Sequence, residues 1–509
     1  MNAKEKFKNL LNPGSTLNQR VTRGGVWVFG IRIVRECLRL VRVIFLARLL
    51  APDDFGTLGI ALLTISALEH FSQTGFNAAL IQKEGDAKAH LNAAWTINGL
   101  RGTILCLLLV AAAPYVASFF NEPAAENIVR VVAFTVFIQG WANIGRVYFD
   151  KELEFNKKFA YEVGGAVTDL TVAIFMALIL RNVWALVFGL LAGEIVRFIL
   201  SCLLHPYRPR LSRDLTKARE LFSFGKWILA SSLLLFFINE GDDFFLGKVL
   251  GVTALGFYQM AYKISNLPAT QITQVISQVT FPAYSKLQGN LPKLREAYLK
   301  VLKLTAFMSF PLAAGIAVLA PEFTRLFLTE KWMPMVPAIQ LLAILGLSRS
   351  VSATTGPLFQ GMGRPDIASK LQLVRLIVMA SLIYPFTTLW DIEGTALAVV
   401  VGALAVDPVA IYLAARVTQS KIKAITPILG LPLLNAAIVF SATYVVKTYV
   451  FDSVGVPAFL FLAVFGASIY FAVVYILARW MRYDIVSLIK EQLRVLKGTP
   501  SLEKIEKTG

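Results

Sequence analysis

Cysteine is almost missing from this chain of 509 residues: Cys37, Cys106 and Cys202 are the only three, each in an apolar stretch and far from the others. That excludes a disulfide framework and a cysteine metal knuckle. Histidine is as scarce, and His70, His90 and His205 show no ligand spacing, so they read as packing or loop residues. Charged residues make up 16% of the chain, against about 25% in soluble domains. Also missing are a phosphate-cradling loop of the form G-x-x-x-x-G-K-S/T, which removes an ATP-hydrolysing domain, and the H-E-x-x-H and C-x-x-C patterns of metal and redox sites. The apolar runs are joined by short connections with little room for a catalytic domain. A non-enzyme is expected, with no cofactor and no metal. The basic stretch 1–23 does not lead into a short apolar core with a small-residue cleavage site, so no cleaved signal peptide is expected.

Apolar residues are abundant instead. They form 56% of the chain, with 36 Phe, and they are spread over its whole length. So much apolar surface cannot all enter a soluble core, and it points to an all-α polytopic membrane protein. At roughly 20 residues per crossing, fourteen spans fit the sequence. The first six are Trp27–Leu50, Phe55–Ile81, Asn92–Phe119, Ile128–Phe149, Phe159–Leu180 and Trp184–Leu204. The next five are Leu221–Leu246, Leu255–Ala283, Tyr298–Leu319, Met335–Phe359 and Ile367–Leu389. Gly394–Ala415, Ile425–Val446 and Pro457–Trp480 complete the set.

Net charge is +18, from 50 Lys and Arg against 32 Asp and Glu. In a soluble protein such an excess suggests nucleic acid. Here the basic residues lie between apolar runs, so a membrane surface is the expected partner and nucleic acid is not. The segments on the N-terminal side of the membrane hold 32 Lys and Arg, and the seven opposite connections hold only Arg181, Lys248, Arg325, Lys331 and Lys447. By the positive-inside rule both termini are cytoplasmic. Two tail segments have the pattern of helices lying on an anionic leaflet. One joins Lys4, Lys6 and Lys8 to Phe7, Leu10 and Leu11; the other joins Ile485, Leu488, Ile489, Leu493 and Leu496 to Lys490, Arg494 and Lys497.

The sequence also repeats itself weakly. An offset of 200 pairs Phe45-Leu46-Ala47-Arg48-Leu49-Leu50-Ala51 with Phe245-Leu246-Gly247-Lys248-Val249-Leu250-Gly251, then Gly56 with Gly256 and Ala61 with Ala261. Near offset 207, Ala113-Pro114 and Phe119-Phe120 resemble Ala320-Pro321 and Leu326-Phe327. The organisation expected is a basic N-terminus (1–23), a six-helix N-lobe (24–205), a basic cytoplasmic linker (206–219), a six-helix C-lobe (220–418), an added helix pair (419–482) and an amphipathic tail (483–509). Parallel repeats of this kind place a substrate path between halves that rock against each other.

Charge inside the spans marks the candidate site. Arg32, Arg35, Arg39 and Arg42 recur at spacings of three, four and three, which puts them on one stripe of the first span. Each Arg near mid-bilayer costs roughly 2.5–3.5 kcal/mol on insertion scales, so four cannot face lipid. Glu36 can pair with Arg32 or Arg39, which leaves a surplus. Arg101 and Arg146 add to it, as do Arg197, Lys226, Lys263, Arg349 and Arg375. A surplus of buried guanidinium groups suits an anionic ligand, phosphate above all. The alternative is that these arginines pair with Glu162, Asp169 and Glu194 and lock the bundle. In the second half, Glu240, Asp242 and Asp243 cluster near the outer end of the seventh span, and Asp407 lies inside the twelfth. Such carboxylates can hold H+ or Na+ and couple transport to a gradient, or close a gate by pairing with the arginines. Trp95, Trp141, Tyr258 and Tyr262 either stack on sugar or pack between helices.

Several runs match a known pattern. Ile44-Phe45-Leu46-Ala47-Arg48-Leu49-Leu50-Ala51-Pro52-Asp53-Asp54-Phe55-Gly56 resembles the start of polysaccharide-exporting flippases. So do Gly75-Phe76 before Ala78-Ala79-Leu80-Ile81-Gln82, Trp184-Ala185-Leu186-Val187, and Pro206-Tyr207-Arg208-Pro209-Arg210. Asp242 before Leu246-Gly247-Lys248, and Phe310-Pro311-Leu312-Ala313-Ala314-Gly315 leading to Ala320-Pro321-Glu322, match as well. Over roughly residues 20–420 the chain is similar to colanic-acid-exporter-type oligosaccharide flippases of the multidrug/oligosaccharidyl-lipid/polysaccharide superfamily. The resemblance implies a fourteen-helix transporter with two pseudo-symmetric lobes in a bacterial plasma membrane. Its cargo would be a polyprenyl-pyrophosphate-linked oligosaccharide, and a polysaccharide polymerase and chain-length regulator would be partners. The diphosphate would be held by Arg32, Arg35, Arg39 and Arg42, with Arg101 and Arg146 behind them. A multidrug antiporter of the same fold and a membrane glycosyltransferase or polymerase are the competing readings. The arginine stripe opposes the first, and the short outside loops oppose the second.

Overall fold

A computed structural model of the chain describes residues 17–72, 88–152, 154–212, 233–451 and 453–481. All regular secondary structure among them is helical. The helices are α1 (Leu17–Leu49), α2 (Pro52–Phe71), α3 (Lys88–Phe120), α4 (Ala124–Trp141), α5 (Phe155–Leu180), α6 (Trp184–Leu204) and α7 (233–249). They continue with α8 (Val252–Leu287), α9 (Leu291–Phe323) and α10 (Val336–Gly361). The long stretch Pro365–Val417 bends into α11 and α12, followed by α13 (Ile422–Val450) and α14 (Val456–Met481). Each of the fourteen predicted spans overlaps a helix, so the chain is an all-α polytopic membrane protein. Among the described residues eight helical segments are long and apolar enough to cross a membrane, the bent pair α11–α12 counting as one. The charges of α1 keep it out of that set.

Exposed apolar side chains agree with a lipid surround. Leu107, Phe175, Ile179, Leu203, Tyr449 and Val464 all lie open on helix faces. Water disfavours apolar surface on that scale, whereas lipid accepts it provided that backbone groups are bonded within helices.

Two breaks need explanation. The fourth span was expected to run to Phe149, yet α4 stops at Trp141, with Ala142 extended at ψ 147. Asn143 causes the stop. Its side chain accepts the Gly145 N–H at 2.8 Å, its own N–H reaches Ser201 Oγ at 2.9 Å, and its Nδ2 donates to the Tyr207 carbonyl at 2.7 Å. The chain resumes as a short turn, Val147–Lys151. In Pro365–Val417 the break falls at Trp390 and Asp391, where Asp391 has φ 48. The hydroxyls of Thr387 and Thr395 meet across it at 2.7 Å.

The chain groups into two compact units, one of residues up to Gln259 together with Phe327–Lys331, the other of Met260–Leu326 with the residues from Trp332 onward. The first has a core around Leu46, Leu109, Val129, Val132, Ala173 and Leu186. The second has one around Leu294, Tyr298, Leu302, Phe359, Ala414 and Ile425. Both tail segments, Lys226 and linker residues 213–219 lie outside the described residues.

Two lysines close helix ends, and a third ties α13 to α9. Lys248 Nζ donates to the Phe119 carbonyl of α3 at 2.5 Å, and Lys331 Nζ to the Leu50 and Arg48 carbonyls at the end of α1 at 2.5 and 3.1 Å. Lys447 reaches the Val318 carbonyl of α9 and Glu322, each at 3.1 Å. The last carbonyls of a helix lack intrahelical donors and carry partial negative charge, so a lysine is favoured there.

Candidate functional site

The arginine stripe of α1 packs along α5 in a regular ladder. Arg35 Nη1 meets Glu162 Oε2 at 3.5 Å, and Arg42 Nη2 meets Asp169 Oδ1 at 3.1 Å. Both steps are seven residues, about 10 Å of rise on each helix. Two turns on α1 therefore match two turns on α5, and the helices run parallel in register. Arg39 pairs within its own helix, with Glu36 at 3.1 Å, while its side chain stays 54% exposed. Arg32 is partly exposed and engaged. On α6, Arg197 pairs with Glu194, and Asp169 lies in the field of both Arg42 and Arg197. The locking alternative in the sequence thus has counterparts at Glu162, Asp169 and Glu194. The stripe still leaves Arg39 open and holds more cations than acids.

Arg101 and Arg146 are placed differently. Arg101 on α3 donates to the Ser72 carbonyl at 2.9 Å, to Ser72 Oγ and to the Glu69 carbonyl at 3.2 Å, so it closes the end of α2. Arg146 follows the α4 break and donates to Tyr161 of α5 at 2.7 Å. Trp95 and Trp141 meet edge-to-face at 4.9 Å, with Trp95 Nε1 donating to the Trp141 carbonyl.

The acids occupy two places. In the first unit Asp242, 2% exposed, accepts the Tyr258 hydroxyl at 2.6 Å, and Asp243 accepts Gln259 Nε2 at 3.2 Å. Glu240, two residues before Asp242, is partly buried and engaged. In the second unit Asp407 of α12 is buried, near Ser348 of α10 and in the field of Arg375 of α11. Beside Ser348, Arg349 donates to Thr270 at 3.1 Å and to the Tyr262 hydroxyl, and lies over the Tyr262 ring. Sequence reasoning missed Ser348, Tyr258 and Gln259 as partners. The signal for the last two was present, since both lie sixteen residues beyond their acids across a tight helical hairpin.

Residues 45–337 match the family described as polysaccharide biosynthesis protein, which is more than half of the chain. The chain belongs to that family. It is 26% identical over 366 residues to the lipopolysaccharide biosynthesis protein WzxC of Escherichia coli (strain K12), covering 71% of this chain and 74% of that one. It is 30% identical over 302 residues to the teichuronic acid biosynthesis protein TuaB of Bacillus subtilis (strain 168), covering 58% and 61%. Among solved structures it superposes on the lipid II flippase MurJ in its inward closed conformation with a TM-score of 0.71 and 15% identity, over 90% of this chain and 98% of that one. That likeness shows that the chain has the MurJ fold.

Within this polysaccharide biosynthesis family member, the matched region takes in Arg101, Arg146, Glu240, Asp242 and Asp243. The α1 stripe ends before it and Asp407 lies beyond it. The region also holds a plate at the C-terminal end of α6 that the sequence did not announce. His205 stacks on Tyr148 at 5.5 Å and accepts the Tyr207 N–H at Nδ1. Asn92 Oδ1 takes the Tyr207 hydroxyl and the Arg210 N–H, and Thr96 takes the Ser212 N–H. Burial first, then the neighbouring Lys157, push the His205 pKa below its ordinary value. The imidazole is therefore neutral at pH 7, as its acceptor role requires.

Proposed function

We propose that this protein is a flippase that moves a polyprenyl-pyrophosphate-linked oligosaccharide across a bacterial plasma membrane by alternating access, for surface polysaccharide biosynthesis. The carrying observation is the guanidinium ladder of α1, set inside a fold shared with a lipid II flippase and a sequence family of polysaccharide biosynthesis. It carries its cargo rather than chemically altering it.

The ion pairs explain how such a helix can exist. With no cargo, Glu162, Glu36 and Asp169 hold Arg35, Arg39 and Arg42, which offsets the cost of the charges in the membrane. A diphosphate presents oxygens of the same kind in a bidentate array and competes for the same forks. Arg39, the most open of the three, meets it first, and Arg35 follows by exchanging Glu162 for phosphate. Arg32 and Arg42 extend the track toward either end, and Arg101 and Arg146 hold the surrounding helices in place. The glycan occupies the hydrated side and the polyprenyl tail stays in lipid.

The rest of the cycle belongs to the same proposal. The lysine and arginine bias supports cytoplasmic termini, so that α1 ends at the outer face. The halves 24–205 and 220–418 rock, with 419–482 appended. Asp407, beside Ser348 and Arg375, and the Glu240, Asp242 and Asp243 group are the places where H+ or Na+ binding would drive the motion. A polymerase and a chain-length regulator would receive the delivered cargo. The test is Arg35→Gln with Arg39→Gln. At unchanged expression, export of surface polysaccharide should be lost, and full export in that double variant would overturn the assignment.

A further inference from the structure

A proline inside a helix has no N–H for the carbonyl four residues before it, and its ring pushes that carbonyl aside. At three prolines of the second compact unit a side chain from another helix takes the carbonyl so freed. Pro311 of α9 frees the Phe307 carbonyl, which accepts the Tyr470 hydroxyl of α14 at 2.6 Å. Pro321, further along α9, frees the Ala317 carbonyl, which accepts Gln340 Nε2 of α10 at 3.0 Å. Pro357 of α10 frees the Ala353 carbonyl, which accepts Ser277 Oγ of α8 at 3.1 Å. The three bonds join α14 to α9, α9 to α10, and α10 to α8.

The bond between Tyr470 and Phe307 is buried, where a carbonyl without a donor is costly. Tyr470 is itself held from behind, because the buried Asn435 of α13 donates to its backbone carbonyl at 3.3 Å. The pair α13–α14 therefore presents the hydroxyl on a fixed mount, and Lys447 of α13 adds its hold on α9 at Val318. A bond within a helix travels with that helix, whereas a bond from a neighbour is made at one relative position only. Helices bend where their ladder of backbone bonds already has a gap. Bending α9 at Pro311 must therefore stretch the bond to Tyr470, and bending it at Pro321 must stretch the bond to Gln340.

We propose that Tyr470, Gln340 and Ser277 are positioning residues for transport, each of which sets the bend of a proline joint in the second unit. The proposal rests on the alternating access stated above. The two joints of α9 are separated by about 15 Å of helical rise, so the segments before, between and after them move as short rods. Since α14 holds one joint and α10 the other, a swing of α9 is tied to the positions of both neighbours. The pair α13–α14 lies beyond the matched region 45–337. On this proposal it is part of the moving machinery, because it fixes the resting bend of α9.

The experiment reads amide hydrogen exchange over residues 305–316 of the full chain in nanodiscs, which needs no cargo. Tyr470→Phe keeps the ring and removes the donor, and exchange there should rise roughly tenfold, as expected when a buried acceptor loses its donor. Pro311→Ala restores the backbone N–H, so in that background Tyr470→Phe should change exchange by less than about twofold, a non-additivity that marks the two groups as acting on one carbonyl. Export of surface polysaccharide is scored on the same chains. Pro311→Ala alone should slow it severalfold at unchanged expression, because α9 no longer bends there, whereas a proline with a merely structural role would leave export as it was. If Pro311→Ala fails to reach the membrane, Ser277→Ala with and without Pro357→Ala, read over residues 350–360, repeats the comparison. Unchanged exchange in Tyr470→Phe, or an equal rise with and without Pro311, overturns the positioning role. Wild-type export from Pro311→Ala overturns the moving joint. The exchange results stand whether or not Arg35 and Arg39 hold cargo, so the two proposals fail separately.

Discussion

The pair Arg42–Asp169 separates a packing role from a binding role. Its atoms are 3.1 Å apart and the side chains are 22% and 19% exposed. Exposed ion pairs contribute about 0–1 kcal/mol, whereas breaking a fully buried one costs about 3–5 kcal/mol. Partial burial puts Arg42→Gln or Asp169→Asn between those limits, at about 2 kcal/mol each. The double variant restores a neutral pair, so it should recover about 1–2 kcal/mol relative to the sum of the single changes. Unfolding in nanodiscs followed by tryptophan fluorescence measures the cycle, and surface polysaccharide export in a deletion host is scored on the same four chains. If Arg42 holds cargo, the double variant is stable yet exports poorly, and Asp169→Asn alone retains export wherever it folds. Wild-type export from the double variant would refute a diphosphate contact at Arg42 and leave it as a bundle lock. Absence of any coupling in the cycle would refute the ladder itself.

Arg101→Ala should lower stability by about 1.5–3 kcal/mol, the range for hydrogen bonds from a charged donor, because it frees the end of α2; denaturant titration checks this, and Arg101→Lys should recover part of the loss. Asp407→Asn should remove the dependence of export on whichever gradient drives it, measured in vesicles with imposed pH or Na+ gradients; unchanged gradient dependence would exclude Asp407 as the coupling group. The lowered pKa of His205 gives a signed pH effect. The neutral ring is favoured in the fold, so its contribution is complete above the ordinary histidine range and is lost as pH falls through that range toward the lower folded value. Proteolysis of the 205–212 segment should accelerate on acidification below about pH 6.5, and His205→Gln, which keeps an acceptor, should flatten the profile. Reporter fusions after Arg181 and after Lys447 should both report the outer side, and a cytoplasmic signal from either would reverse the orientation.

Much of this was legible in the sequence because the bilayer simplifies the problem. A stretch of twenty apolar residues has few options other than a helix, so span positions followed directly from composition, down to the interval between α11 and α12. The end of α4 was not legible. Its stop depends on Asn143 finding Ser201 and Tyr207, which are 58 and 64 residues away, and no local pattern encodes that. The arginine stripe was readable as a face of α1, and its possible acids could be named, but not which acid meets which arginine. That depends on the parallel register of α1 and α5, in which seven-residue steps coincide. Arg101 shows the limit most clearly. A lone arginine in an apolar span reads as part of a charged cavity, and only coordinates show it bound to the carbonyls at the end of α2.

The lysines at the helix ends carry a consequence for traffic. In the proposed orientation the far side of the membrane has five basic residues in its connections, and Lys248, Lys331 and Lys447 are already occupied with carbonyl oxygens or Glu322. A phosphorylated lipid that has left the guanidinium track therefore finds few vacant positive charges at the threshold to hold it back. On the proposed function the protein would grip anions at mid-depth and offer them almost nothing on departure, an asymmetry that would favour one-way delivery.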